Sequence, residues 1–276
     1  MTRQRLIERA DAGGLHVMSL NVRRPVPTRR VQDRWSRRAP LLHELLQAEQ
    51  PAVLGTQEVM PGQLSTLQAA LGDRYRSVGT GRDRRGGGEG CPIYYDGDRV
   101  ELVRWQQLAL SDRPAAAGSI SWGNLTPRIV VVAAVRDRVT SASALVVNTH
   151  LDHLSPRSRV RAAIAIRQLI ARQPLPAVVT GDLNAAAGSP ALRALRSGGT
   201  LVDAWEAASA RVTPAYGTFA NYRRPRVDGR RIDWILVSPD VEVLCAGIDG
   251  REVSGGWASD HLPVHALVRV PERGAR

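Results

Sequence analysis

Four segments of the chain carry apolar residues at the three- and four-residue spacing of a helix. Pro51 follows the first segment, Pro61 opens the second, and glycines close the second and the fourth, as helix boundaries commonly show. We therefore predict helices over residues 35–49, 61–72, 155–173 and 189–199.

Most other apolar runs are short and either alternate or are rich in β-branched residues, which predicts strands. The first strand, helix and strand suggest a parallel crossover unit, whereas adjacent strand runs suggest hairpins, so the sheets should be mixed. Two packed sheets with helices outside, in one domain, fit the number of elements. The predicted strands cover residues 15–22, 52–59, 91–96, 100–110, 127–135, 143–150, 175–182, 231–238, 241–248 and 261–270.

Composition adds a basic character to this picture. The 276 residues have a net charge of +12, and all 38 basic residues are arginine. A basic surface favours polyanions such as nucleic acid, but a chain rich in alanine and arginine also reflects a general compositional bias. The stretches 23–38 and 222–231 are the best candidates for contact with a polyanion, and solvated loops explain them equally well.

Neither a membrane span nor a disulfide framework is indicated. No stretch approaches the roughly 20 apolar residues that cross a bilayer, and residues 1–14 are charged where a signal peptide is apolar. Cys91 and Cys245 stand far apart and form no metal-binding pair. We therefore expect a cytoplasmic protein without a membrane partner.

Polar residues recur where the predicted strands end or begin. One such residue is ordinary for a turn, but several from strands that lie side by side indicate a site on one rim of the sheets. The residues are Asn21, Glu58, His150, Asp152, Asp182, Asn184, Asp233, Asp260 and His261.

The residue types suggest a hard divalent cation. Carboxylate and amide oxygens suit Mg²⁺ or Mn²⁺ better than zinc, and Mg²⁺ usually takes only one or two protein carboxylates, with substrate phosphate completing its shell. We assign Glu58 as the principal ligand, with Asn21 beside it. Taken alone, Glu58 could also be a first-turn helix carboxylate preceding Pro61.

The remaining polar residues suggest hydrolysis of a phosphate ester. Asp182 at a strand tip could orient and deprotonate a water molecule, and Asn184 lies on the same side if the chain stays extended. His150 would stabilise the charge that develops on phosphorus. Asp260 and His261 are adjacent, so they must lie in a loop to act together, and a nearby aspartate would favour an imidazolium.

In their order along the chain, the motifs SLNV, QE, NTHLDH, GDLNA, RIDWILV and SDHLPV resemble the endonuclease/exonuclease/phosphatase superfamily. The resemblance implies a deoxyribonuclease-I-like, four-layer α/β-sandwich of two packed mixed sheets flanked by helices. It also implies Mg²⁺- or Mn²⁺-dependent cleavage of phosphate esters by a single domain over residues 15–272, after a flexible extension over residues 1–14.

Matching the motifs residue by residue gives the expected site. The implied metal residues are Asn21, Glu58 and Asp260, and the implied catalytic set is His150, Asp182, Asn184, Asp233, Asp260 and His261. We expect Asp182 to activate water, and His150 and His261 to stabilise the transition state.

A narrower resemblance, to an uncharacterised bacterial branch of the superfamily, adds candidates for substrate binding. These are Glu89, Arg128 and Asp152, and Trp257 is a separate candidate because it stands close to Asp260 in the sequence. Arg128 could clamp a phosphate or hold Glu89 or Asp152, and Trp257 could stack on the substrate or serve packing.

Three functions follow from the sequence. The first is a phosphomonoesterase or phosphodiesterase acting on small molecules, and the second is a DNA or RNA nuclease with the same site. The third, a binding module without catalysis, predicts eroded rim residues, whereas the main ones are all present.

Overall fold

The computed structural model describes residues 3–8 and 13–272 and contains two β-sheets with helices on their outer faces. The other residues of the expected extension, 1–2 and 9–12, lie outside the described residues. The helices are α1 Trp35–Glu49, α2 Leu64–Leu71, α3 Pro156–Ala171, α4 Pro190–Arg196 and α5 Ala204–Ala207.

Thirteen strands form the two sheets in the described part of the chain. In chain order they are β1 Leu15–Asn21, β2 Val53–Gln57, β3 Tyr75–Val78, β4 Ile93–Asp96, β5 Val100–Ala109, β6 Ile129–Asp137, β7 Ser143–His150, β8 Ala177–Asp182, β9 Val202–Asp203, β10 Ala210–Arg211, β11 Asp233–Val237, β12 Glu242–Ile248 and β13 Val264–Arg269.

Both sheets are mixed, as the sequence predicts. The seven-stranded sheet has the order β10-β12-β13-β1-β2-β4-β3, and the six-stranded sheet has the order β5-β6-β7-β8-β11-β9. Each contains a parallel pair, β1 with β2 and β7 with β8, that a helix connects. The remaining named pairs are antiparallel except for β10 with β12.

Three apolar cores give the molecule four layers. Between the sheets, residues such as Val17 and Val53 pack with Val146 and Val178 of the other sheet. The outer face of the seven-stranded sheet is covered by α1 and α2, and that of the six-stranded sheet by α3 and α4. The expected four-layer sandwich is confirmed.

A buried polar contact joins the sheets near the ends of β2 and β7. Asn148 Nδ2 donates to the carbonyl oxygen of Thr56 at 2.8 Å, and Asn148 Oδ1 accepts from Gln57 Nε2 at 2.8 Å. Gly55 lies against Thr180 of the facing sheet, leaving no room for a Cβ atom. This contact fixes the distance between the two sheets directly beneath the strand ends.

Candidate functional site

The strand register brings the predicted site residues to one end of the sandwich. Asn21 pairs with Gln57, so Glu58 follows immediately beyond the same edge. In the other sheet, His150 pairs with Asp182, and Asp182 pairs with Asp233.

A cavity of about 630 Å³ opens at this end of the sheets. Loops from both sheets surround it, and its lining is strongly polar. It includes five of the six predicted catalytic side chains, His150, Asp182, Asn184, Asp260 and His261, together with Glu58. Asp233 lies directly behind His261, and Asn21 lies between Glu58 and Asp182.

Asn21 connects two carboxylates that belong to different sheets. Its Nδ2 donates to Glu58 Oε1 at 3.1 Å and to Asp182 Oδ2 at 3.0 Å. Its own Oδ1 accepts from the backbone N–H of Arg23 at 2.9 Å. The amide therefore orients the two acidic groups and retains one oxygen lone pair for a cation.

Glu58 remains ionised at the cavity wall. Burial alone would raise the pKa of Glu58, but the charge of His150, which is protonated in the acid range where Glu58 titrates, and hydrogen bonds from the Arg24 N–H and Asn21 lower it to about 2. The residue adopts a φ of 60°, which turns the chain sharply after β2. This turn places the carboxylate at the cavity instead of continuing the strand.

His261 is held by Asp233 and not by its sequence neighbour Asp260. Nδ1 of His261 lies 2.8 Å from Asp233 Oδ2. Burial alone would lower the pKa of His261, but the charges of Asp233 and Asp182 raise it to about 10. The ring is therefore an imidazolium at neutral pH. The Thr218 hydroxyl accepts from the Asp233 N–H at 3.0 Å and fixes the start of β11.

The Asp260 side chain contacts other residues than His261 does, although both residues lie in the same loop. Its Oδ1 accepts from the Ser259 hydroxyl at 3.2 Å, and its Oδ2 lies 3.6 Å from Arg23 Nε. The loop geometry expected for Asp260 and His261 is present, but the two side chains have separate partners. Asp260 therefore presents its carboxylate to the cavity as a separate acidic group.

Asp182 is 1% exposed and lies at the centre of the site. Its Oδ2 is 3.5 Å from His150 Nε2 and 3.8 Å from His261 Nε2. Burial and the nearby charge of Asp233 raise the pKa of Asp182. A carboxylate with a raised pKa is a stronger base, which suits the abstraction of a proton from water.

Asn184 does not continue the extended chain that would place it beside Asp182. It has a φ of 48°, and its N–H donates to Asp182 Oδ1 at 2.9 Å in a tight turn. Its Nδ2 contacts His150 Nε2 at 3.1 Å and donates to the carbonyl oxygen of Leu151 at 3.0 Å. The turn still brings Asn184 to the cavity, because the side chain reaches back toward β7.

The contact with Asn184 also defines the state of His150. Since an amide nitrogen only donates, His150 Nε2 accepts and the ring proton lies on Nδ1. Burial lowers the pKa of His150 to about 4, despite the opposing charge of Asp182. His150 is therefore neutral at neutral pH, whereas His261 is charged.

Arg128 holds Asp152 in place, which is one of the roles that the sequence leaves open for it. It is 3% exposed, and its Nε donates to Asp152 Oδ2 at 3.2 Å. Asp152 Oδ1 accepts from the N–H groups of Leu154 and Ser155 at 2.9 and 2.7 Å. Asp152 therefore organises the turn before α3, while Arg128 also lines the cavity.

The other two predicted binding residues differ in position. Glu89 lines the cavity and forms ion pairs with Arg82 and Arg24. Trp257 is half-buried and is not among the described side chains that line the cavity.

Several cavity residues have no distinctive signal in the sequence. Phe219, the single phenylalanine of the chain, is 48% exposed with its ring centroid 5.0 Å from that of His261. Arg30 and Arg230 belong to the two basic stretches, so charge clustering does indicate them. Arg82, Thr126 and Asn221 come from loops without periodic patterning, and Ile232 lies at the start of the predicted strand 231–238.

The donor set fits a hard divalent cation. The cavity presents carboxylate oxygens of Glu58 and Asp260, and the buried Asn21 side chain lies behind Glu58, to which its Nδ2 donates. Donor atoms of Asp182, Asp233 and His261 also lie within 4.8 Å of one another, but a protonated His261 is not a ligand. The buried Oδ1 of Asp233 has no hydrogen-bond partner, so negative charge in the site is incompletely compensated.

Comparison with known proteins finds a matching family model. The model of the "Endonuclease/Exonuclease/phosphatase family" matches residues 18–261. A search of curated proteins finds no match. Within the described residues, no helix is long and apolar enough to cross a membrane.

Solved structures cover nearly the whole chain. A protein of this family from Bacteroides thetaiotaomicron is 29% identical with a TM-score of 0.87, and the alignment covers 96% of this chain and 100% of the other. A mannosyl-6-phosphatase from the same organism is 30% identical with a TM-score of 0.84, covering 92% and 99%. The D. rerio TDP2 structure with single-strand DNA product is 18% identical with a TM-score of 0.69, covering 93% and 99%.

Proposed function

The chain belongs to the endonuclease/exonuclease/phosphatase family, whose members hydrolyse phosphoester bonds, and we propose that it is a Mg²⁺- or Mn²⁺-dependent phosphoesterase of small molecules. The observation that carries the proposal is the convergence of a basic carboxylate, Asp182, and an imidazolium, His261, beside the Glu58 carboxylate in one cavity.

Glu58, Asn21 and Asp260 would hold the cation. When bound, the ion would neutralise phosphate oxygens and the oxygen that leaves. Glu58 is already ionised, and its position is fixed by hydrogen bonds from Asn21 and the Arg24 N–H. The Glu58 carboxylate therefore does not have to lose a proton before it binds the cation.

Asp182 would orient the attacking water and take its proton. Its Oδ1 is occupied by the Asn184 N–H and its Oδ2 by Asn21, so the carboxylate plane is fixed. Such proton transfer contributes roughly 10² to 10⁴-fold to the rate.

The two histidines would act on the phosphoryl oxygens in different ways. His261 donates from Nε2 as an imidazolium, because Asp233 occupies its Nδ1. His150 is neutral with its proton on Nδ1, so it would contribute by donating from Nδ1, while Asn184 fixes the ring through Nε2. Charge stabilisation of this kind is often the largest part of an enzyme's rate enhancement.

The cavity favours a small substrate over a polymer. Its volume of about 630 Å³ lies within the range of sites that enclose small molecules. The relative at 30% identity is named as a mannosyl-6-phosphatase, which favours a phosphate monoester. A nuclease is the second candidate, because six arginines line the cavity: Arg23, Arg24, Arg30, Arg82, Arg128 and Arg230.

The proposal is tested by assaying p-nitrophenyl phosphate, bis(p-nitrophenyl) phosphate, and single- and double-stranded nucleic acids with Mg²⁺, with Mn²⁺ and with chelator. We expect metal-dependent hydrolysis that Asp182→Asn and His261→Ala abolish, while Asp98→Asn and His43→Ala, outside the cavity, retain it. Hydrolysis that survives both site substitutions would remove these residues from the mechanism, and a preference for nucleic acid would favour the second candidate.

A further inference from the structure

One side of the cavity has no part in the hydrolytic steps described above. It is formed by Arg24, Arg82, Glu89, Arg128 and His153, which we call the Glu89 wall. These side chains come from four separate loops and form two groups of polar contacts, one centred on Glu89 and one on Arg128. Their arrangement indicates the chemical class of the group that is esterified to the phosphate.

A short hairpin places Glu89 in the wall. The Arg82 N–H donates to the Glu89 carbonyl oxygen at 2.9 Å. The Arg82 guanidinium pairs with the Glu89 carboxylate through Nη2 to Oε1 at 3.0 Å and Nη1 to Oε2 at 2.9 Å. Gly90 pairs with Val59, the residue after Glu58. The hairpin is therefore anchored to the backbone beside the principal metal-site carboxylate.

Arg24 links the wall to that carboxylate directly. Its backbone N–H donates to Glu58 Oε2 at 3.1 Å, and its side-chain Nε lies 3.3 Å from Glu89 Oε1. One residue thus spans from the metal-site carboxylate to the wall. A group esterified to a phosphate bound through a cation at Glu58 would therefore lie next to the wall.

The other half of the wall is built on Arg128. Its NH2 group donates to His153 Nδ1 at 3.0 Å, because a guanidinium only donates. With Nδ1 accepting, the ring N–H of His153 lies on Nε2, and the side chain is exposed at the cavity. The hydroxyl of Thr126, which both donates and accepts, lies on the same cavity.

The wall offers both donors and acceptors, and its three guanidinium groups are paired with two carboxylates, which leaves one net positive charge. Arg24 and Arg82 are paired with Glu89, and Arg128 is paired with Asp152. A second phosphate only accepts hydrogen bonds, and the Glu89 carboxylate would repel it. A hydroxyl both donates and accepts, and an ionised carboxylate has about four acceptor positions, of which Glu89 uses three.

We propose that the Glu89 wall binds the hydroxyl groups of a sugar-sized polyol, so that the substrate of the phosphoesterase proposed above is a phosphate monoester of a monosaccharide. Neighbouring hydroxyls on a sugar ring match the paired contacts of a carboxylate and a guanidinium. This assignment rests on the proposed function and identifies Glu89 and His153 as residues that determine specificity.

The test compares kcat/KM for mannose 6-phosphate and glucose 6-phosphate with kcat/KM for p-nitrophenyl phosphate, which has no hydroxyl groups on its leaving group. We expect the ratio of the sugar phosphate value to the p-nitrophenyl value to fall about tenfold or more in Glu89→Gln and in His153→Ala. Glu242→Gln and His43→Ala are the matched controls, since neither residue lines the cavity. His153 is exposed, so its variant tests the proposal even if Glu89→Gln is unstable.

The outcomes separate the two proposals. Hydrolysis of p-nitrophenyl phosphate without hydrolysis of either sugar phosphate would overturn the polyol assignment and leave the phosphoesterase standing. An unchanged ratio in folded Glu89→Gln and His153→Ala would also overturn it. Failure to hydrolyse every ester with either metal would defeat the phosphoesterase itself and the polyol assignment with it.

Discussion

His261 Nδ1 lies 2.8 Å from Asp233 Oδ2, although 28 residues separate the two along the chain. Asp233 is the first residue of β11 and pairs with Asp182 of β8. The same strand pairing therefore places the proposed base and the carboxylate that keeps His261 charged side by side.

We predict that Asp233→Asn lowers kcat by about 10²-fold or more. The amide cannot supply the negative charge that raises the pKa of His261 to about 10, so the imidazolium is lost near neutral pH. Steady-state kinetics with p-nitrophenyl phosphate measures the effect, and Asp98→Asn, an exposed aspartate outside the cavity, is the control. A kcat equal to that of the wild type would show that the Asp233 charge is not required.

Glu58→Gln should weaken the response to metal more than it changes the fold. The substitution keeps the shape of the side chain and its contact with Asn21 but removes the negative charge offered to the cation. We expect the Mg²⁺ concentration for half-maximal activity to rise about tenfold or more. Glu206→Gln, an exposed residue paired with Arg196, provides the comparison. Superimposable Mg²⁺ titrations would reject Glu58 as a ligand.

The long elements of this fold could be predicted because their patterns are strong. All four predicted helices and all ten predicted strands have counterparts in the structure. The missed elements include β9 and β10, which have two residues each, and β3, which has four. Such short strands are set by tertiary pairing and carry almost no periodic signal of their own.

The convergence of the site was predictable, whereas its internal contacts were not. Strand ends such as Asn21 and Asp182 meet because parallel and antiparallel register brings them together. The partner of His261 depends on which strand lies next to β8, and the turn at Asn184 depends on a positive φ value that asparagine tolerates. Neither feature follows from local sequence alone.

Gly55 provides a test of how closely the two sheets must approach. A Cβ atom at this position would overlap Thr180 and come within 2.8 Å of Asn148 Oδ1. We predict that Gly55→Ala destabilises the protein by about 1–3 kcal/mol, because the sheets must separate and strain the hydrogen bond between Gln57 and Asn148. Urea unfolding measures the change, with Gly62→Ala, where a Cβ meets no atom within 4 Å, as the control. Equal free energies of unfolding would show that the interface tolerates the extra methyl group.

The final prediction concerns stability in acid and the ionic cluster around Asp249, which does not line the cavity. Burial alone would raise the pKa of Asp249, but hydrogen bonds from Arg251 and the charges of His265 and Arg3 lower it to about 2. Because the unfolded carboxyl has a pKa of about 3.9, this stabilisation of about 2–3 kcal/mol is present above pH 4 and is lost as the pH falls toward about 2. We expect the free energy of unfolding in urea to fall between pH 5 and pH 3 in both proteins, and the decrease in Asp249→Asn to be about 1 kcal/mol smaller than in the wild type.

The variant should also be less stable at pH 5, since it leaves Arg251 and Arg3 without that charge. The same decrease in both proteins would contradict the assignment, because it would mean that other carboxylates account for the acid sensitivity.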